Sequence, residues 1–193
     1  ELLAHDFYEM LATSEFPKTS QIVPTRFKQK FKELTEDGSD LIVITMSSKL
    51  SGTYNSALTA ARDLENVYVV DSLNASLGER LLCLYAKDLI DQGHSAKEIF
   101  EKLEEAKYKI NYLAVVNTLE YLKKGGRVSA AAAFAGELLS IKPVASVYDG
   151  VVNIIGKPIG IRKACKFVNY QIEKLGGINF EMPYGVIYSG NED

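Results

Sequence analysis

Histidine is among the scarcest side chains of catalytic use in this sequence. His5 and His94 are the only two among 193 residues. His5 falls on the flank of a predicted helix, and His94 follows Gly93 in a helix-ending turn, where a solvated histidine is ordinary. Neither is placed to act as a general base for a nearby serine, which argues against a hydrolase built on a catalytic triad. Other signatures are missing too. There is no G-x-G-x-x-G, no G-x-x-x-x-G-K-[ST], no H-E-x-x-H and no G-x-S-x-G.

Cysteine is as scarce as histidine. Cys83 and Cys165 each fall inside a segment of helical period and read as small core residues, a disulfide being the alternative. Two such cysteines form no metal-site pattern, and the usage fits a reducing cytoplasm. Charge of one sign is also lacking. With 22 Lys and Arg against 25 Asp and Glu, the net charge is −3. The basic residues are scattered, so neither a nucleic-acid footprint nor a basic membrane-binding face emerges. The longest apolar runs are far too short for a bilayer span, which excludes stable membrane insertion, and the start does not read as a signal peptide. The amphipathic pattern is already under way at Glu1, which leads us to expect sequence upstream.

What is present is enough apolar material, 47% of residues, for a substantial core. Leu3, Phe7 and Leu11 suggest a first helix, and Phe27, Phe31 and Leu34 a second, opened near Pro24 and stopped by Asp37-Gly38. Residues 41–46, 67–70 and 112–116 read as buried strands, separated by helical patterns around Tyr54–Leu64, Leu81–Leu89 and, behind a Ser95-x-x-Glu98 capping box, Ile99–Leu103. Strands alternating with helices predict an α/β domain with a parallel sheet covered on both faces. After about residue 140 the pattern changes. Two β-rich runs flank Asp149-Gly150, a hairpin signal, followed by a helix through Ala164–Ile172 and a further strand at Tyr184–Tyr188. We therefore expect a parallel-sheet domain over residues 1–140 and the start of a smaller α+β domain over 141–193, with a short alanine-rich helix at 131–135 near the boundary at 138–142.

In an open parallel sheet, ligands bind beyond the carboxyl ends of the strands. The strand exits here are polar and small: Ser47, Ser48, Ser51, Gly52 and Thr53 after the first, Asp71-Ser72-Leu73-Asn74 after the second, Asn117-Thr118 after the third. One such residue per exit is expected simply as a helix cap, the preferred reading for Ser72, Asn74 and Thr118. The first exit has more hydroxyls than one cap can use. Its Gly52 allows close approach to the backbone, and a helix N-terminus favours an anion. The elbow suits a carboxylate or phosphate held mainly by neutral donors, and binding is favoured over catalysis.

Several segments in order, "KTSQ" at 18–21, "MSSKLSGTYNSA" at 46–57, "VDSLNASLG" at 70–78, "LEYLKKGGRVS" at 119–129, "IKPV" at 141–144 and "IRKA" at 161–164, resemble the DegV family of bacterial fatty-acid-binding proteins. The resemblance spans nearly the whole chain. It implies an α/β domain and a smaller α+β domain with a long-chain fatty acid, such as palmitate, between them. In many members that acid is presented to a separate fatty acid kinase, so the chain would be a carrier, with no catalytic residue, no metal and no cofactor of its own. By resemblance, Thr19 and Ser51 hold the carboxylate, with Ser20, Ser48, Gly52, Thr53 and Arg127 nearby, and Arg162 faces the kinase. The family's opening strand and its closing histidine motif would lie before Glu1 and after Asp193, so the resemblance implies truncation at both ends. The competing class is a phosphotransferase or hydrolase of a related α/β fold acting on a small polar substrate. It would need a nucleotide or metal site, for which the sequence offers no motif.

Overall fold

The computed structural model describes residues 3–13, 16–127 and 140–189. The boundary helix expected at 131–135 lies outside the described residues. The chain opens with α1 (Ala4–Thr13) and α2 (Pro24–Leu34). Pro24 supplies a preset first helical turn for α2, entered from extended backbone at Val23. Then come β1 (Leu41–Thr45), α3 (Thr53–Ala61), β2 (Val67–Asp71), α4 (Leu77–Asp91) and α5 (Ala96–Ala106). The Ser95–Glu98 capping box opens α5 as expected, with both reciprocal bonds present.

β1 and β2 pair in parallel, Leu41 opposite Val67 through Thr45 opposite Asp71. Alternation along the strands divides the core between the two faces of this sheet. Leu41, Val43, Val67 and Val69 meet Phe31, Ala57, Ala60 and Ala61 of α2 and α3. Ile42, Ile44 and Val70 meet Leu82, Ala86, Leu89, Ile99 and Leu103 of α4 and α5. The sheet is covered on both sides, and its strand ends open toward the elbow at residues 46–53.

β3 (Tyr112–Val115) departs from expectation. It pairs antiparallel with β4 (Val144–Tyr148), which pairs antiparallel with β5 (Val151–Gly156). All four β3 residues are half-buried. A four-residue run without alternation suits either kind of sheet, and periodicity alone does not choose its neighbour. The link from β3 passes through the short helix α6 (Glu120–Lys124). The β4–β5 hairpin turns at Asp149 and Gly150, both with positive φ (48° and 76°), the geometry of the two-residue turn read from the sequence. α7 (Ile161–Lys174) lies over this sheet, with the Phe167 ring set against Gly156, where a Cβ would come within 2.7 Å of it.

Two further expectations are corrected. Residues 184–188 form no strand; Val186 is 94% exposed. Apolar content does not make a strand without a ladder partner for its backbone groups. Cys83 and Cys165 are free and exposed rather than core residues. The buried face of α4 runs through Gly78, Leu82, Ala86 and Leu89, and that of α7 through Ala164, so each cysteine falls one position past the buried row.

Candidate functional site

The elbow after β1 is held from three sides. Ser47 is fully buried. Its N–H donates to the Asn74 carbonyl (2.7 Å) and its hydroxyl to the Gly150 carbonyl (2.7 Å). Ser48 N–H donates to Asp71 Oδ1 (3.1 Å), which also accepts from Leu73 N–H (3.0 Å). The exits of β1 and β2 are thus tied together. Within this turn the Ser72 hydroxyl donates to the Asn74 carbonyl and accepts from Asn74 N–H, and Asn74 Nδ2 donates to the Ser72 carbonyl, while the buried Asn74 Oδ1 has no hydrogen-bond partner among the described residues. The Thr118 hydroxyl accepts from Glu120 N–H (3.1 Å) in the turn before α6, but the N-cap position there is Leu119 and no side chain caps the helix.

At the N-terminus of α3, the Ser51 hydroxyl accepts from Thr53 N–H (3.2 Å) and shares a 2.9 Å bond with the Thr53 hydroxyl. Thr53 Oγ1 in turn accepts from Ile22 N–H (3.4 Å), and Gln21 Nε2 donates to Ser56 Oγ (3.1 Å). These two bonds dock the loop carrying Thr19 and Ser20 onto the elbow, although more than thirty residues separate them. Arg127 closes the third side. Its Nε donates to the Leu50 carbonyl (3.3 Å), and a second guanidinium nitrogen bonds the Gly125 carbonyl. Gly126, with φ of 69°, makes the bend that folds Arg127 back.

Together these segments line a cavity of about 490 Å³. Thr19, Ser20, Ser51, Thr53 and Arg127 supply its polar rim, and Ile22, Phe27, Val43, Ile44, Met46 and Leu50 its apolar wall. Five of the seven ligand-contact residues expected from the sequence are therefore brought together. Ser48 and Gly52 are not in the lining. The space in front of Gly52 is taken by Gln21, whose Oε1 would lie 1.8 Å from a Cβ placed there. Arg162 sits in the first turn of α7, exposed, and is not among the residues lining this cavity.

Two polar lining residues, Thr45 and Glu79, were missed at the level of sequence. Glu79, in the first turn of α4, faces the cavity half-buried, and burial pushes its carboxyl above the ordinary glutamate range. The available signal was its place, one turn into the helix that follows the second polar exit. Neither histidine lines the cavity. His5 pairs with Glu9 on α1 (3.2 Å), and His94 lies 3.8 Å from Glu98 beside the capping box. Among the described residues no cluster of His, Cys, Asp or Glu is arranged to hold a metal ion, and no helix is long and apolar enough to cross a membrane.

The sequence profile described as "Uncharacterised protein, DegV family" matches residues 1–193. The chain belongs to the DegV family. A DegV domain-containing protein of Clostridium perfringens is 39% identical over 181 residues, which cover 90% of this chain and 62% of that protein. A fatty acid-binding protein of Thermotoga maritima is 37% identical over 175 residues, 88% of this chain and 60% of that protein. Among solved structures, a DegV family protein from Thermus thermophilus, described for its fatty acid binding, superposes with a TM-score of 0.81 at 34% identity, over 91% of this chain and 63% of that one. A DegV protein from Eubacterium eligens loaded with heptadecanoic acid superposes at 0.79 with 25% identity, covering 91% and 65%. This DegV chain thus spans a little over three fifths of the length of the relatives it matches first.

Proposed function

We propose that this DegV chain binds a long-chain fatty acid in the cavity beside the elbow, with the carboxylate at the hydroxyl rim and the acyl chain along the apolar wall. The observation that carries the reading is the mixed lining itself: the hydroxyls of Thr19, Ser20, Ser51 and Thr53 and the Arg127 guanidinium, next to the apolar Ile22, Phe27, Val43, Ile44, Met46 and Leu50, with Thr45 and Glu79 also in the lining. Relatives described as fatty-acid-binding support it.

The energetics favour such a ligand. Burying about fourteen methylenes at ~0.8 kcal/mol each stabilises the complex by roughly 11 kcal/mol. Ordering the chain and losing its free motion takes back several kcal/mol. The carboxylate must not be buried without partners, and each bond to a charged group contributes about 1.5–3 kcal/mol. Thr19 and Ser51 are the pair we assign to it, assisted by Ser20, Thr53 and Arg127. A head group held mainly by hydroxyls keeps an oxygen open to a phosphoryl donor. We extend the proposal accordingly: the chain is a cytoplasmic carrier that presents the carboxylate to a partner kinase, which does the chemistry, and Arg162 faces that partner. The same proposal divides the chain functionally into residues 1–140 and 141–193. The β3–β4 pairing and the Ser47–Gly150 bond cross that line.

Purification without added lipid, organic extraction and mass spectrometry should recover acyl chains at close to one per protein. Palmitate should bind and its methyl ester should bind markedly less. Protein that is free of lipid and ignores added palmitate overturns the reading. Equal affinity for acid and ester would leave a lipid site but reject the carboxylate clamp.

A further inference from the structure

The cavity holds one ionisable acid that the fatty-acid reading does not use. Glu79 lines it with no hydrogen-bond or ion-pair partner among the described residues. A bound fatty acid would bring a second carboxylate into the same 490 Å³, alongside Arg127, the one lining cation among the described residues, already engaged with the Leu50 and Gly125 carbonyls. Two carboxylates sharing a site do not both remain ionised at little cost; one takes up a proton. An acyl chain lying over Glu79 acts in the same direction, because it strips water from the charged form. Wherever along the cavity Glu79 meets the ligand, head group or chain, the sign is the same.

We propose that Glu79 is a specificity-determining contact of this cavity, and that filling the cavity with a long-chain acid is coupled to uptake of one proton at its carboxyl. The inference rests on the acyl-binding reading and deepens it. In the protonated form Glu79 gives the cavity a hydrogen-bond donor where the ionised form gives only repulsion. The site then discriminates by charge at a second point, beyond the hydroxyl rim.

Among the described residues, the surroundings offer no other group for this role. β1, which α4 crosses, carries no ionisable side chain. α5 meets α4 through Ile99 and Leu103 against Leu82, Ala86 and Leu89, away from Glu79. On α4 itself, Cys83 lies one turn on; though exposed at the surface, its thiol is pushed up, first by partial desolvation and then by the charge of Glu79. The extended segment that sets Gly185 against Leu77 carries Tyr184 and Tyr188 and no carboxylate or cation. Arg127, the cation in the lining, does not reverse the upward displacement of Glu79, for which burial is the cause.

The sign follows directly. The carboxyl of Glu79 is raised in the empty protein and rises further when the cavity is filled. Affinity is then full below the empty-state value, falls as pH rises between the two values, and levels off above the higher one. Within that window the dissociation constant should increase up to about tenfold per pH unit for one linked proton. The test uses this chain with a fluorescent polyunsaturated fatty acid as probe, from about pH 6 to about pH 9, where the ordinary carboxylate of a free acid is already ionised. Wild type should weaken with pH, and Glu79→Gln should bind with a flat profile and hold its affinity at the alkaline end. Calorimetry of the wild type in buffers of different ionisation enthalpy counts the proton directly and does not depend on the variant folding. A measured uptake approaching one proton supports the proposal. Tight binding with no uptake, or a Glu79→Gln profile as steep as wild type, overturns it while leaving acyl binding intact. Failure of wild type to bind the probe at every pH overturns the acyl reading and this inference with it.

Discussion

The hydroxyl of Ser47 donates a 2.7 Å hydrogen bond to the carbonyl of Gly150, joining the first strand's exit to the tip of a hairpin 103 residues later. Ser47 is fully buried. A Cβ at Gly150 would lie 2.5 Å from its oxygen, so the tip approaches as closely as only glycine allows. Beside it, Lys49 Nζ pairs with Asp149 Oδ2 at 2.6 Å on the surface. The most buried hydroxyl of the elbow is therefore spent on holding the hairpin against the parallel sheet, not on a ligand. Ser47→Ala leaves a buried carbonyl short of a donor and should cost about 1–3 kcal/mol of stability in a urea titration. Lys49→Ala, removing an exposed pair, should cost about 0–1 kcal/mol. Equal losses for both would mean that the hairpin is held by charge rather than by the buried bond.

Gly52 yields a second prediction. Its φ of −70° suits any residue, so backbone freedom does not explain a glycine there. The neighbour does: the Gln21 amide fills the space that a side chain would need. Gly52→Ala should expel that amide, break its bond to Ser56 and destabilise by about 1 kcal/mol. Gln21→Ala should remove most of the added cost of Gly52→Ala. A double-mutant cycle should therefore show coupling of about 0.5–3 kcal/mol, and strict additivity would contradict this account.

Local chemistry was legible in the sequence where one segment sufficed to specify it. The Asp149-Gly150 turn, the Ser95–Glu98 capping box and the polar exits of β1 and β2 all follow from residue type at fixed spacing. That Thr19, Ser20, Ser51 and Thr53 would share one cavity was expected only through the resemblance to DegV. What escaped depends on distant partners. β3 reads the same for a parallel or an antiparallel neighbour, and only Val144–Val147 opposite it decides. Cys83 and Leu82 differ by one position, yet one faces out and the other is 1% exposed. Ser47 and Ser51 look alike in "SSKLSGT", but the hairpin claims the first and the cavity the second. Glu79 has no motif at all; only the fold turns its side of α4 toward the elbow.

Thr19 and Ser51 should separate affinity from stability. Thr19 is exposed in the cavity rim, and no hydrogen bond ties its hydroxyl to the protein among the described contacts. Thr19→Val should lose about 1–3 kcal/mol of fatty acid affinity with little change in melting. Ser51 also closes the first turn of α3 through Thr53 N–H, so Ser51→Ala should lose that affinity and about 1 kcal/mol of stability as well. Lipid titration and thermal melting on both variants check the contrast. Unchanged affinity in folded Ser51→Ala would reduce Ser51 to a cap.

Arg127 and Arg162 are both exposed, but their settings differ. Arg127 is bent back over Leu50 by the Gly126 turn and belongs to the cavity lining. Arg162 stands in the first turn of α7, where a cation opposes the helix dipole, so helix stability does not account for it. Lys163 and Lys166 on the same helix are exposed as well, giving that end of α7 a basic surface. Such a surface acts on association with an anionic partner, and its effect weakens as salt rises. Arg127→Ala should therefore weaken lipid retention whatever the kinase concentration. Arg162→Ala should retain lipid normally, require more kinase for the same phosphorylation rate, and show a flatter dependence on salt. The two are checked by lipid retention on gel filtration and by kinase titration at two ionic strengths. Loss of lipid from Arg162→Ala with an unchanged kinase requirement would place both arginines at the ligand and leave the partner-facing surface to be sought elsewhere.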